Sequence, residues 1–341
     1  MKRYMSAALP FLKAGIRAQG GIHFTMDLKQ IEYIVKIAET GNITRAAEQL
    51  FVTQSALNQQ LLKLENALGI KLFYRRKHDL TPTDAGKVYL KYGRQMLIEK
   101  REAYNIINDL AQDNLGHLSF TFSRERGLDM FVATYPAFHR QFPGIIVEPH
   151  EMRVHNQQLQ IAQGYVDLGL VTLSEQQKLA DLQYDHIRYE PLLLCLPRKH
   201  PLAKDAAPVG TYLEDLPYMD LSAIKELPFV LIYKESTMRS LINRILGAAK
   251  IRPYVLFESG SIRALLKIVA SGLACTITSA GYIRGKDDVA FYRIPGDPLW
   301  EMCTVHKKDT YVSKAMACYK ELIVRYFTEK DPLLTNQNHS L

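Results

Sequence analysis

Residues 44–69 read TRAAEQLFVTQSALNQQLLKLENALG, and their spacing decides the N-terminal fold. Ala46, Ala47 and Leu50 share the inner face of a short helix. Phe51-Val52-Thr53 is long enough only for a turn. Leu57, Leu61, Leu64 and Leu68 then recur at steps of four, three and four, the apolar stripe of a second helix that Gly69 stops. Thr44 suits the N-cap of the first helix and Thr53 that of the second. Opposite the leucine stripe stands a polar row: Gln54, Ser55, Asn58 and Gln59. Such a row is either an ordinary solvated face or a surface built to meet a polar partner.

The neighbouring segments bear on that choice. Upstream, Ile31, Ile34, Val35 and Ala38 stand at helical spacing until Gly41. Downstream, LFYRRKHDLTPTDAG (72–86) reads as two short extended pieces around a basic tip. From Asp84 to about Asp113 there is no proline, and Leu90, Leu97 and Tyr104 repeat every seven residues with Ile107 three beyond. This predicts a long helix with a seam, which needs a partner to be stable.

The chain carries 47% hydrophobic and 23% charged residues, an ordinary globular balance. Its 341 residues predict about two or three compact units. No stretch approaches the roughly 18 to 20 apolar residues of a membrane helix, so the chain reads as soluble and cytoplasmic, without membrane contact. The opening 1–25 is expected to be a mobile leader rather than a targeting segment, because Pro10 and Lys13 break its apolar run. A natural start at Met26 fits the helical pattern that begins there. Net charge is +8, concentrated in the leader and in residues 71–101. A local basic patch is the footprint of polyanion binding, and a solvated helix face is its rival reading.

After a polar break at 112–116 the pattern changes. Strands at 118–122, 145–151 and 168–171 alternate with helices at 128–139 and 157–163. A second series follows: strands at 229–233, 254–257 and 275–278 alternate with helices at 237–249 and 262–270. Strands at 289–294 and 301–305 and a helix at 312–327 close the chain. This predicts α/β units with a largely parallel sheet, arranged as two lobes with a ligand cleft near strand ends.

The three helices and the ribbon make a winged helix-turn-helix pattern, in which the second helix of the turn motif reads bases in the major groove of double-stranded DNA. Asn and Gln can pair with adenine and Ser with several bases, whereas the ribbon's cations suit phosphates or the minor groove. The expected DNA-contacting set is Thr44, Arg45, Thr53, Gln54, Ser55, Asn58, Gln59 and Lys63 on the helices, with Arg75, Arg76 and Lys77 on the ribbon. The run MDLKQIEYIVKIAETGNITRAAEQLFVTQSALNQQLLKLENALGIKLFYRRKHDLTPTDAG (26–86) closely resembles the N-terminal domain of LysR-type transcriptional regulators. The later pieces EPLLLCLPRKHPLA and GYVDLGLVT resemble that family's effector-binding domain more loosely. The resemblance implies a winged helix-turn-helix (26–86), a linker helix and hinge that dimerise the chain (87–116), and a two-lobed sensor like periplasmic binding proteins (117–330). Lobe 1 is expected at about 117–195 and 294–330 and lobe 2 at about 196–293. Family members are commonly tetramers. Asn58-Gln59 stand where the family often has Ser-Arg, which leaves the target bases open, and Pro82 replaces a frequent Leu after the wing.

The resemblance also points to the cleft between the lobes as the effector site. By position, Ser123 and Arg124 follow the first strand, Thr172 ends the third, and Ser236 with Thr237 opens a second-lobe helix. Ser259 and Ser261 flank the start of another. Several helix N-termini facing one cleft favour a carboxylate or amino-acid-like effector, although each hydroxyl alone is equally an N-cap. Catalytic and cofactor readings find no support: no phosphate-binding glycine loop is present, and His139, His150 and His155 fit no triad order or metal spacing. Cys195, Cys275, Cys303 and Cys318 lie far apart and read as small hydrophobes. A peroxide-sensing role would need a reactive pair near Cys195. The alternative to a ligand-switched regulator is a two-lobed binding protein or enzyme whose N-terminal helices only mediate assembly. That alternative leaves the basic ribbon unexplained.

Overall fold

The structure is a computed structural model that describes residues 27–76, 79–111, 115–283 and 288–329. The leader (1–25), Lys77, residues 112–114 of the hinge and the side chain of Arg76 lie outside the described residues. The chain divides into two compact units, Met1–Glu99 and Lys100–Leu341.

In the first unit, α1 (Leu28–Thr40), α2 (Ile43–Gln49) and α3 (Gln54–Leu68) precede a two-stranded ribbon of β1 (Phe73–Arg76) and β2 (Asp79–Pro82). Ile31, Ile34 and Ile37 of α1, Ala46 and Ala47 of α2, and Leu57, Leu61 and Leu64 of α3 form the buried faces. The α2 cap differs from the expected Thr44. Asn42 Oδ1 accepts from the N–H groups of Thr44 (2.8 Å) and Arg45 (3.2 Å), because a side-chain oxygen one residue before the helix reaches two of its unpaired donors. Thr53 does cap α3, its Oγ1 accepting from the Ala56 N–H at 3.3 Å.

Glu65 anchors the ribbon to α3. It is 2% exposed, and its Oε1 accepts from the backbone N–H groups of Leu72 (2.8 Å) and Phe73 (3.3 Å). Its Oε2 accepts from Lys71 Nζ at 3.0 Å. Thr83 closes the ribbon: its Oγ1 donates to the Lys71 carbonyl (2.7 Å) and accepts from the Gly86 N–H (3.0 Å). That contact starts α4 (Asp84–Ala111), a 28-residue helix. A Cβ on Gly86 would sit 2.0 Å from the Leu72 carbonyl oxygen, so the approach of α4 to the ribbon requires glycine there.

The second unit contains β3 (Leu115–Phe122), α5 (Arg126–Gln141), β4 (Gly144–Glu151), α6 (Val154–Ala162) and β5 (Leu168–Leu173), then the 16-residue β6 (Leu182–Pro197). After it come β7 (Pro228–Ile232), α7 (Thr237–Ala248), β8 (Tyr254–Ser259), α8 (Ile262–Ala270) and β9 (Thr276–Ser279). The described part ends with β10 (Val289–Arg293), β11 (Leu299–Lys307) and α9 (Lys314–Glu329). One sheet runs β10-β6-β11-β5-β3-β4 with β9 also on β6, and β7-β8 forms a separate pair. The sheet is mixed rather than largely parallel. Within each βα series the strands are parallel, β3 with β4 and β5, and β7 with β8. The strands β6, β9, β10 and β11 pair antiparallel. The chain passes between lobes as extended strand, without the helical crossover that parallel pairing demands.

Lobe 1 packs Phe120, Phe138, Tyr319 and Ile323 on one side of its sheet and Val154, Ile161, Val171 and Val305 on the other. Lobe 2 surrounds Leu192–Leu196, Phe229–Leu231, Leu265 and Tyr292. β6 belongs to both, contributing Ile187 to the first core and Leu192 to Leu196 to the second.

At the crossing lies Glu190, 1% exposed. Arg126 of α5 grips it with two bonds of 2.7 Å, Arg188 donates at 2.6 and 2.9 Å, and Ser279 Oγ of lobe 2 donates at 2.9 Å. Burial alone would raise this carboxyl. Arg126 and Arg188 outweigh burial and hold it at about 2.

A carboxyl lowered on folding contributes stability that is complete above its unfolded value, about 4.3, and lost as pH falls through the folded one. We expect the unfolding free energy of the second unit to drop by about 3 kcal/mol as pH falls through this window. Glu190→Gln should remove most of that drop while lowering stability at neutral pH. Urea titrations at several pH values, read on the single Trp300, check this. Equal acid slopes in both proteins would refute it.

Candidate DNA-reading face and interlobe cleft

On α3, Gln54, Ser55 and Gln59 are exposed and Asn58 is half-buried, while Leu57 and Leu61 face the core. Thr53 and Ser55 share a hydroxyl contact of 3.2 Å at the helix start. Thr44, Arg45 and Lys63 are exposed on the same unit. Arg75 does not stand apart on the ribbon, because its Nη2 donates to Asn58 Oδ1 at 3.2 Å. The residues that spacing alone did not single out are Asn42 and Glu65. A capping Asn before a helix was a readable signal. A buried Glu at a leucine-flanked helical position gave none.

The second candidate site is a cleft of about 530 Å³ between the lobes. Ser123, Arg124, Thr172, Ser236 and Thr237 line it, and Ser259 and Ser261 are not among the lining residues, which include Gly260 and Ile262 instead. Ser259 Oγ accepts from the Ser261 N–H at 3.1 Å, and Ser261 caps α8 through the Ala264 N–H at 3.1 Å.

The starts of α5 (Arg126, Gly127), α6 (Val154), α7 (Thr237, Met238) and α8 (Ile262) all border the cleft. The N-cap residues of α5, α6 and α7, namely Glu125, Arg153 and Ser236, make no side-chain capping bond. The charged groups of Glu125 and Arg153 are directed to other contacts. Thr237 Oγ1 donates across the lobes to the Thr172 carbonyl at 2.8 Å, and Ser123 Oγ accepts from Gln157 Nε2 at 3.1 Å.

The charges lining the cleft pair with one another. Arg124, 73% exposed, donates to Glu151 at 2.7 Å. Arg153 lies over the Tyr233 ring at 4.6 Å and near Glu235 at 3.8 Å. Arg126 sits between the rings of Tyr282 (5.6 Å) and Phe327 (5.4 Å). Glu125, at φ 69°, sends its carboxylate to the start of α8, accepting from Ser261 Oγ and the Arg263 N–H. Arg263 also pairs with Asp129 of α5. The contacts of Arg153 with Glu235, Glu125 with Ser261 and Arg263 with Asp129 join the two lobes around the cleft.

The described residues contain no group of three or more His, Cys, Asp or Glu placed to hold a metal, and no described helix is long and apolar enough to cross a membrane. His150 and His155 are exposed, and His139 stacks on Tyr135 at 5.7 Å. Burial pushes the Cys195 and Cys303 thiols up and Cys275 to about 12, which leaves them protonated and unreactive at neutral pH.

Comparison with known proteins agrees with this geometry. Residues 28–87 match the family model described as bacterial regulatory helix-turn-helix protein, lysR family, and residues 111–328 match the LysR substrate binding domain. The chain is 30% identical over 315 residues to a probable RuBisCO transcriptional regulator of Porphyra purpurea, covering 89% of this chain and 94% of that relative. A protein of the same description from Synechocystis sp. is 28% identical over 324 residues, covering 92% and 89%. Among solved structures, a full-length OxyR variant from Pseudomonas aeruginosa superposes with a TM-score of 0.65 at 20% identity, covering 88% of this chain and 97% of that one. Full-length CbnR complexed with its target DNA gives 0.54 at 21% identity, covering 88% and 99%. The chain belongs to the LysR family: it is a DNA-binding transcriptional regulator with an N-terminal helix-turn-helix and a C-terminal ligand-binding domain.

Proposed function

We propose that this regulator reads its operator with the exposed face of α3 and is switched by a small carboxylate, amino-acid-like in character, bound between the lobes. The observation that carries the effector reading is the convergence of α5, α6 and α7, each without a side-chain cap, on one cleft. The positive ends of three helices favour an anion there. Glu151 and Glu235 on the same walls, paired with Arg124 and Arg153, give the ammonium group of an amino-acid-like ligand carboxylates to exchange onto.

The operative assembly is a homodimer through α4, with a tetramer as the larger form. Leu90 of the seam is buried within the chain itself, whereas Tyr104, Ile107 and Leu110 are 59%, 56% and 78% exposed. Apolar side chains left open on a long helix suit a second copy of that helix. Two α3 helices in such a dimer enter successive major grooves. A ligand that binds one arrangement of the lobes better than the other then biases DNA engagement.

Two outcomes are expected. Gln54→Ala or Ser55→Ala should weaken binding to the selected site by about 1–3 kcal/mol, with little change in binding to random duplex. Mobility shifts on the chain's own upstream DNA and on scrambled DNA measure both, and unchanged site preference in both variants would sink the assignment. In a thermal-shift screen, at least one small carboxylate or amino acid should raise the melting point. A ligand at a hundredfold excess over Kd adds about 2.7 kcal/mol. Thr237→Val, which removes the hydroxyl at the start of α7, should reduce that shift. A screen in which only uncharged or cationic compounds stabilise the protein would overturn the carboxylate reading.

A further inference from the structure

The contact between Arg75 and Asn58 bears on which base the regulator reads. A guanidinium has only donors, so the atom of Asn58 that faces it is the carbonyl oxygen, and the amide orientation is fixed by chemistry. The bond is Nη2 to Oδ1 at 3.2 Å. The backbone that carries each of its ends is anchored. Asn58 stands on α3 behind the capped start at Thr53. Arg75 follows by two residues the Phe73 N–H that Glu65, on the same helix, holds in place. The ribbon register sets Arg75 opposite Leu80, which fixes the strand that carries it.

We propose that Arg75 makes Asn58 a donor-only reader, so that this position of α3 selects guanine over adenine. The inference rests on α3 being the recognition helix. A free Asn reads adenine by giving its NH2 to N7 and taking a hydrogen from N6. Here one of the oxygen's two lone pairs already accepts from the guanidinium, at 3.2 Å. An adenine amino group approaching that oxygen would also meet the N–H groups of Arg75, donor against donor. What the pair offers is the Asn58 NH2 beside the guanidinium N–H groups. The major-groove edge of guanine, with acceptors at N7 and O6 only, complements that set. Arg75 is thereby a positioning residue for specificity as well as a cation near the DNA backbone.

The test is selection from a random-sequence duplex library by the full-length protein, followed by sequencing, for the parent and for Gln54→Ala, Asn58→Ala and Arg75→Ala. Asn58→Ala should erase the preference at one position in each half-site. In the parent that position should hold guanine over adenine by about tenfold. Arg75→Ala should cut this ratio to about one or below and leave the Gln54-dependent position unchanged. Adenine at the Asn58 position in the parent would overturn the proposal. So would an Arg75→Ala protein that binds all sequences more weakly with the guanine preference intact, since that marks a phosphate anchor only. An Asn58→Ala protein that keeps every preference of the parent, while Gln54→Ala loses one, also overturns it and leaves α3 as the reader. If no α3 variant alters any preference, the recognition-helix reading itself fails.

Discussion

The buried carboxylate of Glu65 is the constraint on which the DNA-reading unit depends. A charged side chain that is 2% exposed is tolerable only where its oxygens are satisfied. Here they are satisfied by the first two N–H groups of the ribbon and by Lys71. Those bonds make the ribbon an extension of α3 rather than a loose hairpin. An isolated two-stranded ribbon is marginal in water, and Glu65 with the Thr83 contacts supplies what it lacks. The geometry of the polar row follows, because Asn58 and Arg75 can meet only if the ribbon is held against the helix.

The ligand-binding unit depends on a similar device at its own crossing. Glu190 stands where β6 leaves one core for the other, and it binds an arginine from lobe 1 and a serine from lobe 2. Two lobes joined by continuous strands can shift against each other without unfolding, provided the crossing stays fixed. The contacts nearer the rim, Thr237 with Thr172, Ser261 with Glu125 and Arg263 with Asp129, are fewer and more exposed. On the proposed effector reading they are the contacts a bound ligand exchanges, and a fixed crossing with an exchangeable rim suits a ligand-biased equilibrium.

Much of this was legible in the chain. The leucine stripe of α3, the turn at 51–53 and the cap at Thr53 follow from spacing and local hydrogen bonding, which act over three or four residues. The order of strands and helices in both lobes was readable for the same reason, except for β6 (Leu182–Pro197), which the strand series left out. Long-range pairings were not. The pattern left no sign that Glu65 would be buried, that β6 would run through both lobes, or that Arg126 rather than Arg124 would be drawn into the buried cluster. Each depends on partners far away in the sequence, such as Arg126 and Glu190 at a separation of 64 residues. In the cleft, the positions of Ser123, Thr172, Ser236 and Thr237 were readable because residues after strands tend to line it. Ser259 and Ser261 lie at an equivalent junction, yet their hydroxyls are taken up by the turn and by Glu125. Backbone placement is encoded locally, and side-chain direction is not.

In the proposed mode of binding, α3 meets base edges in the major groove, twice, in a symmetric assembly. Dimethyl sulfate protection, which reports guanine N7 in the major groove, tests it most directly with the full-length protein on its own upstream DNA. Two protected patches are expected, centred about one helical turn, roughly 10 base pairs, apart, both lost in a Gln54→Ala, Asn58→Ala double variant that still binds DNA weakly. Full binding with no change in major-groove reactivity would contradict it.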